Sequence, residues 1–338
     1  MDRGRKPDLA ADPAAEPDAD PDPDLGLGVD ADVVVVRACL RGGSGGSPTA
    51  VVVERAEGDR HRTDAGDGIG TGTGAGTAAA GGVFGHDGGD EVRDRYRRRV
   101  PVVHGTSHAV FVRRERDGVV GLRFFTSAGE LPACGHGTVA ALAVLASREG
   151  PCRVRLRTGR RVFAGRAEPA AGAEGRFTAV FDPGPVVLRA PTAEERRLVL
   201  PALGLAPGGT GPDVRVAGVG RERLLVPVPS RAALAALAPD LDRLRAACDR
   251  LGLLGAYVHS APTAGGALAA RMFAPSIGVP EDIANANSTA CLAARLAQAG
   301  IASITVDMGD SLGSPATITA ATRPDGTVEL GGTVALPT

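Results

Sequence analysis

One passage occurs twice, and nothing else in the chain restricts its fold as strongly. GLRFFTSAGELPACGHGTVAALAVLA (residues 121–146) and LAARMFAPSIGVPEDIANANSTACLAARLA (residues 268–297) run through the same order of features. Each reads as a strand ending in Arg-x-Phe, a loop with a glycine and an acidic residue, and a small polar cluster. A threonine and an alanine-rich helix then follow, and the second loop is about three residues longer. Such internal similarity predicts two related halves packed about a pseudo-two-fold axis, with both helix N-termini brought toward one interdomain cleft.

A helix N-terminus carries unpaired N–H groups and a partial positive charge, so it suits a carboxylate. For either loop alone, helix capping by Thr138 and by Asn287 or Ser288 explains the polar residues. Both loops together, with Cys134, His136 and Asp282 beside the caps, point to a site.

The chain of 338 residues is long enough for two ordinary domains. It is 43% hydrophobic but only 3% aromatic, with no Trp, so Val, Leu and Ala must fill the core. A net charge of −1 gives no reason to invoke nucleic acid, and no apolar run reaches membrane-spanning length. The first residues carry charge and proline, which is not the pattern of a secretory signal. Cys39, Cys134, Cys152, Cys248 and Cys291 show no CxxC spacing, which argues for a reducing cytoplasm. No two potential ligands share a recognised metal spacing, so neither a metal site nor a cofactor is expected. Lys6 is the one lysine among many arginines, a coding bias of GC-rich bacterial genomes.

Residues 1–30, rich in Asp and Pro, predict a disordered tail. Residues 58–90 hold GIGTGTGAGT, which lacks the dinucleotide spacing and the GK[ST] of a phosphate loop and is expected to be a flexible insertion. RDRYRRR then reads as a solvated helix face. Strands are expected at DVVVVRACL, TAVVVE, TSHAVFV, VVGLRFFT, CRVRLRTGRRVFAGRA and RFTAVFDPG, and His104 is expected to begin a strand. In the second half, TAEE forms a capping box before RRLVLPALGL. Ser230 is placed to cap a helical region that breaks at Pro239. Strands follow at DVRVAGVG, RLLVPVP, GAYVHSAP (carrying His259), ALAARMFAP, ITVDMG, ATITAATRP and TVELGGTVALP.

At these residues the sequence resembles the phenazine-biosynthesis PhzF-like isomerase family, which shares the diaminopimelate epimerase fold. RFFTSAGELPACGHGTVAA resembles the family's R-x-F-T-P…E…C-G-H-A-T-L-A, and RMFAPSIGVPED its R-x-F-A-P…G…E-D-P-x-T-G-S-A. GGSPTAVVV and MGDSLGSPATI are fainter echoes of its first and last motifs. The resemblance implies an α+β fold of two pseudo-symmetric epimerase-like domains, each a curved, mostly antiparallel sheet around a central helix. The domains would span 31–186 and 187–338. It also implies cofactor-free proton transfer at carbon in the cleft, and a homodimer.

Carried over position by position, the family's S-E-T, whose Glu shuttles the proton, falls on Ser107, His108 and Ala109. Histidine would thus replace the acid–base carboxylate. Its ordinary pKa of about 6.5 suits a general base near neutral pH better than the ~4.3 of glutamate. Gly135 and His136 match the family's Gly-His pair, with His136 placed to donate to a substrate carbonyl or carboxylate. Asp282 matches the aspartate of E-D-P and could orient an imidazole or bind a substrate amine; an Asx-turn role is the alternative. The T-G-S that follows becomes Asn285, Ala286 and Asn287. Cys134 coincides with the first catalytic cysteine of diaminopimelate epimerases, yet their second falls near Asn285, which disfavours a two-thiol racemase. Small-residue packing is the plain alternative for Cys134.

The expected catalytic set is therefore His108, His136, Asp282 and Cys134. The expected substrate contacts are Ser107, Glu130, Gly135, Gly137, Thr138, Asn285, Ala286, Asn287 and Ser288, with Glu130 equally readable as a structural loop acceptor. The expected activity is isomerisation of a double bond in a small cyclic unsaturated amino or carboxylic acid, such as a substituted pyrroline-carboxylate, in an actinobacterial biosynthetic pathway. An epimerase or racemase, or an inactive metabolite-binding relative, is the alternative.

Overall fold

The computed structural model describes residues 32–54, 87–115, 117–206 and 213–337. The expected tail, and the expected insertion apart from residues 87–90, lie outside the described residues.

The first half begins with a hairpin, β1 (Asp32–Ala38) and β2 (Ser47–Glu54). Helix α1 (Asp87–Val103) carries the chain to β3 (His108–Arg114), which lies parallel to β2. Strands β4 (Val120–Thr126) and β5 (Gly129–Leu131) lead into helix α2 (Gly135–Glu149), and β6 (Cys152–Thr158), β7 (Arg161–Pro169) and β8 (Arg176–Phe181) follow. Strand β6 returns parallel to β4, so α2 is the crossover between them.

The second half repeats this order. A short β9 (Val187–Arg189) and helix α3 (Ala193–Ala202) precede the hairpin of β10 (Arg215–Val219) and β11 (Arg221–Val228). Helices α4 (Arg231–Ala235) and α5 (Leu241–Leu251) cross to β12 (Ala256–Ser260), parallel to β11. Next come β13 (Ala267–Ala274), β14 (Val279–Asp282) and helix α6 (Ala286–Ala297). Strand β15 (Ser303–Met308) returns parallel to β13, and β16 (Ala316–Thr322) and β17 (Val328–Ala335) close the chain.

Hydrogen-bonded pairing in the first half closes on itself. β1, β2, β3, β4, β6, β7, β8 and β17 form a ring, with β17 between β8 and β1. Helix α2 runs through this ring, and its residues from Gly135 to Ala146 are all buried. A helix covered on every side must be largely apolar and slim, which is why Ala, Val, Leu and Gly make up most of it. In the second half β9, β10, β11, β12, β13, β15, β16 and β17 form a curved sheet around α6. Strand β17 serves both halves: residues 328–331 pair with β16, and 334–335 with β1.

The repeated Arg-x-Phe has the same structural meaning in each half. Arg123 lies over the Phe125 ring at 5.1 Å and bonds Glu130 at 2.7 Å through two nitrogens. Arg271 lies over Phe273 at 4.8 Å and bonds Glu281 at 2.9 and 2.8 Å. In both, the guanidinium ties the strand to the acidic loop that precedes the central helix.

Several local expectations need correction. His104 lies in the turn after α1 and does not begin a strand. RDRYRRR is helical, but its face is not wholly solvated, because Arg97 is buried between Glu54, Asp94 and two phenylalanine rings. β1, whose apolar run DVVVVRACL reads as a buried strand, is only half buried. The Thr192–Glu195 capping box, the Ser230 cap and the break around Pro239 form as expected. Among the described residues no helix is long and apolar enough to cross a membrane.

Candidate active site

The N-termini of α2 and α6 meet. A Cβ built on Gly135 would stand 2.4 Å from Ala286 Cβ and 3.4 Å from the Asn287 nitrogen, so only glycine permits the approach. Cys134 is the N-cap of α2, in extended conformation, and makes no side-chain cap bond. Thr138, expected as the cap, instead donates its hydroxyl to the Cys134 carbonyl at 2.8 Å. At α6 the cap is Asn285, whose Oδ1 accepts from the Ser288 N–H at 3.0 Å, so neither Asn287 nor Ser288 takes that role. First-turn amides of helices are suited to an anion.

A cavity of about 360 Å³ opens at this junction. His108, Cys134, Gly135, His136, Asp282, Asn285, Ala286 and Asn287 all line it, so the fold gathers the expected catalytic set and fewer than half of the other expected contacts. Ser107, Glu130, Gly137, Thr138 and Ser288 do not line it. Glu130 is on the outer side of β5, with its side chain 41% exposed and paired to Arg123. That is the structural alternative for this residue, and the substrate-contact expectation is corrected. Gly137, Thr138 and Ser288 are buried behind the helix ends. A Cβ on Gly137 would come within 3.1 Å of both Cys134 Sγ and the Phe124 ring. Ser107 reaches the site indirectly, its Oγ 2.8 Å from His108 Nδ1.

His108 starts β3, opposite Thr49, between two neighbouring strands rather than on a sheet edge. It is 4% exposed, and its ring meets that of His136 edge to face, centroids 4.5 Å apart. His136 Nδ1 is 2.9 Å from the Ala284 carbonyl, which can only accept; Nδ1 therefore carries the hydrogen. Nε2 then faces Cys134 Sγ at 3.4 Å. Asp282 lies at the end of β14, where Oδ1 accepts from the Ala284 N–H at 3.3 Å and Oδ2 from Asn285 Nδ2 at 3.0 Å. It fills the Asx-turn role and lines the cavity as well.

The two imidazoles are driven apart in basicity. Burial, then the neighbouring His136, pushes His108 well below its usual range. Burial pushes His136 down too, but Cys134, Asp282 and the Ala284 carbonyl outweigh it and bring the group to about 9.

Arg223 was not anticipated, because one arginine among so many carries no signal in sequence. It is 1% exposed, lines the cavity, and donates to the Asn287 carbonyl at 3.3 Å, Cys291 Sγ at 3.0 Å and the Arg221 carbonyl at 2.8 Å. It thus fastens the first turn of α6 from behind. Arg161, tied to Asp182, also borders the cavity.

Residues 75–336 match the family of phenazine biosynthesis-like proteins. The chain belongs to this family. It is 31% identical over 268 residues to an uncharacterized isomerase of Deinococcus radiodurans, covering 73% of this chain and 84% of that protein. The trans-2,3-dihydro-3-hydroxyanthranilate isomerase of Pseudomonas aeruginosa is 32% identical over 215 residues, 62% of this chain and 71% of the relative. Among solved structures, a predicted epimerase of Pseudomonas aeruginosa superposes with a TM-score of 0.67 at 23% identity, over 90% of this chain and 96% of that one. A Bacillus anthracis protein of the PhzF family gives 0.66 at 14% identity, over the same shares. A probable proline racemase of Agrobacterium radiobacter gives 0.52 at 13% identity, over 91% and 92%. These likenesses establish the epimerase-like fold expected from the sequence, and the family relationship makes the chain an isomerase.

Proposed function

We propose that this isomerase shifts a double bond by cofactor-independent proton transfer in a small cyclic unsaturated amino or carboxylic acid of bacterial secondary metabolism. A substituted pyrroline-carboxylate is the specific candidate, and a cytoplasmic homodimer the expected form. The observation that carries the reading is the placement of His108 and His136, rings 4.5 Å apart, on the cavity where two helix N-termini converge. The Pseudomonas aeruginosa relative, named for a cyclic unsaturated amino acid, supports the substrate class.

In this mechanism the helix-end amides hold the substrate carboxylate. His108 removes a proton from a ring carbon, and the electron pair moves into the conjugated system toward that carboxylate. His136 and the amides stabilise the charge that develops there. The His108 imidazolium then returns a proton to the carbon at the far end of the displaced double bond. Proton inventory and charge balance without an outside reagent.

Incubation with cyclic enamine acids in D₂O tests this. Deuterium should appear at the newly saturated carbon together with a change in ultraviolet absorbance. His108→Ala should lower the rate by about 10²–10⁴-fold, while His108→Glu, which restores the family's carboxylate, should retain more activity than the alanine variant. Deuterium wash-in with unchanged absorbance would favour an epimerase, a reading to which the proximity of Cys134 and His136 lends weight. Bound ligand that never exchanges would point to an inactive binding protein.

A further inference from the structure

We propose that His108, Cys134 and His136 form a zinc-binding site, and that zinc held there blocks proton transfer. One ring nitrogen from each histidine and Cys134 Sγ all lie within 4.8 Å of one another. His136 Nε2 and Cys134 Sγ are 3.4 Å apart. Zinc–sulfur and zinc–nitrogen bonds of about 2.3 and 2.0 Å at a tetrahedral angle place such ligands ~3.5 Å apart. That pair therefore needs almost no rearrangement.

The second observation is how the rings are held. His136 Nδ1 is committed to the Ala284 carbonyl at 2.9 Å, and His108 Nδ1 to Ser107 Oγ at 2.8 Å. Ligating histidines characteristically have one ring nitrogen fixed by an outer hydrogen-bond partner, which aims the other at the metal. Each ring here has one nitrogen held by such a partner, from two separate segments of chain. All three residues line the cavity, so a fourth coordination position opens onto space that water or a carboxylate can fill, and Asp282 lines the same cavity.

The donor set selects the ion. Two imidazoles and a thiolate suit zinc and discriminate against magnesium and calcium, which require oxygen ligands. Sequence spacing concealed the site because His108 arrives from β3 while the other two ligands open α2. Zinc would occupy the His108 lone pair and displace the thiol proton of Cys134. The inhibitory half of the inference rests on the proposed role of His108; the binding half does not.

The test titrates chelator-stripped full-length protein with Co²⁺, then displaces it with Zn²⁺. One cobalt per chain is expected, with the intense visible bands of a tetrahedral ion and a sulfur-to-cobalt charge-transfer band. Cys134→Ser should abolish the charge-transfer band. Ser107→Ala, which removes only the orienting hydroxyl, should weaken zinc affinity by about 10-fold or more. His108→Gln should weaken it further. Metal-free thermal unfolding of each variant separates lost ligation from lost folding. A six-coordinate, sulfur-free cobalt spectrum, or unchanged affinity in Cys134→Ser, overturns the site and leaves the isomerase reading standing. In a second arm, wild type exchanges a pyrroline-carboxylate in D₂O with and without zinc. Loss of exchange at one equivalent is expected. Zinc bound at the cobalt-defined site with exchange undiminished overturns the inhibition and the assignment of His108 as base.

Discussion

Glu195 joins two tasks in one carboxylate. It accepts the Thr192 N–H at 2.6 Å to complete the capping box of α3, and it meets Arg189 at 2.6 and 3.0 Å. The Arg189 hydrogen bonds hold its pKa below the ordinary 4.5, against the opposing effect of burial. Because the folded value is depressed, the stabilisation is complete above the unfolded pKa and disappears as pH falls through the folded one. Glu195→Gln should therefore lower unfolding free energy by about 1–2 kcal/mol at neutral pH, and the gap to wild type should narrow below about pH 4; denaturant unfolding across pH measures both. The box itself was plain in the letters TAEE, because capping is local. Glu130 was not, because its role depends on which face of β5 it occupies. Neighbouring strand residues point to opposite faces, and it is Leu131, one position on, that lines the cavity.

At the scale of elements, the site is two helix ends and the strands that deliver them. The sequence made the helices and their convergence legible through the repeat, yet misplaced both caps. A helix start can shift by several residues among small polar neighbours such as A-C-G-H-G-T or A-N-A-N-S-T without altering the pattern. The cost of Gly135→Ala follows from geometry: the new methyl meets Ala286 Cβ at 2.4 Å, and both partners belong to rigid helices. We expect a loss of about 1–3 kcal/mol in thermal unfolding, together with weaker binding of carboxylate ligands as the amides separate. Unchanged melting would show that the helix ends yield easily.

Across the whole molecule, β17 sets the cooperativity. It closes the ring around α2 and forms the last strand of the sheet around α6. Leu330, fully buried on this strand, pairs with Phe181 on one side and Ala320 on the other. Leu330→Ala should cost about 2–5 kcal/mol, and hydrogen exchange in β8 and β15 should accelerate by the same factor; exchange confined to one half would refute a shared unit. The two-half plan was readable from the repeat. The closed ring was not, since the β1–β17 and β4–β6 pairings join distant segments whose partners no local pattern specifies.

The junction of Gly135 with Ala286 has a last consequence. It sets like poles of two helices against each other, a repulsion the chain withstands through close packing and the His136–Ala284 hydrogen bond. A bound anion neutralises both poles at once and becomes the rivet between them. Carboxylates of suitable size should therefore raise the melting temperature even when they cannot react, and a neutral amide of the same shape should leave it almost where it was.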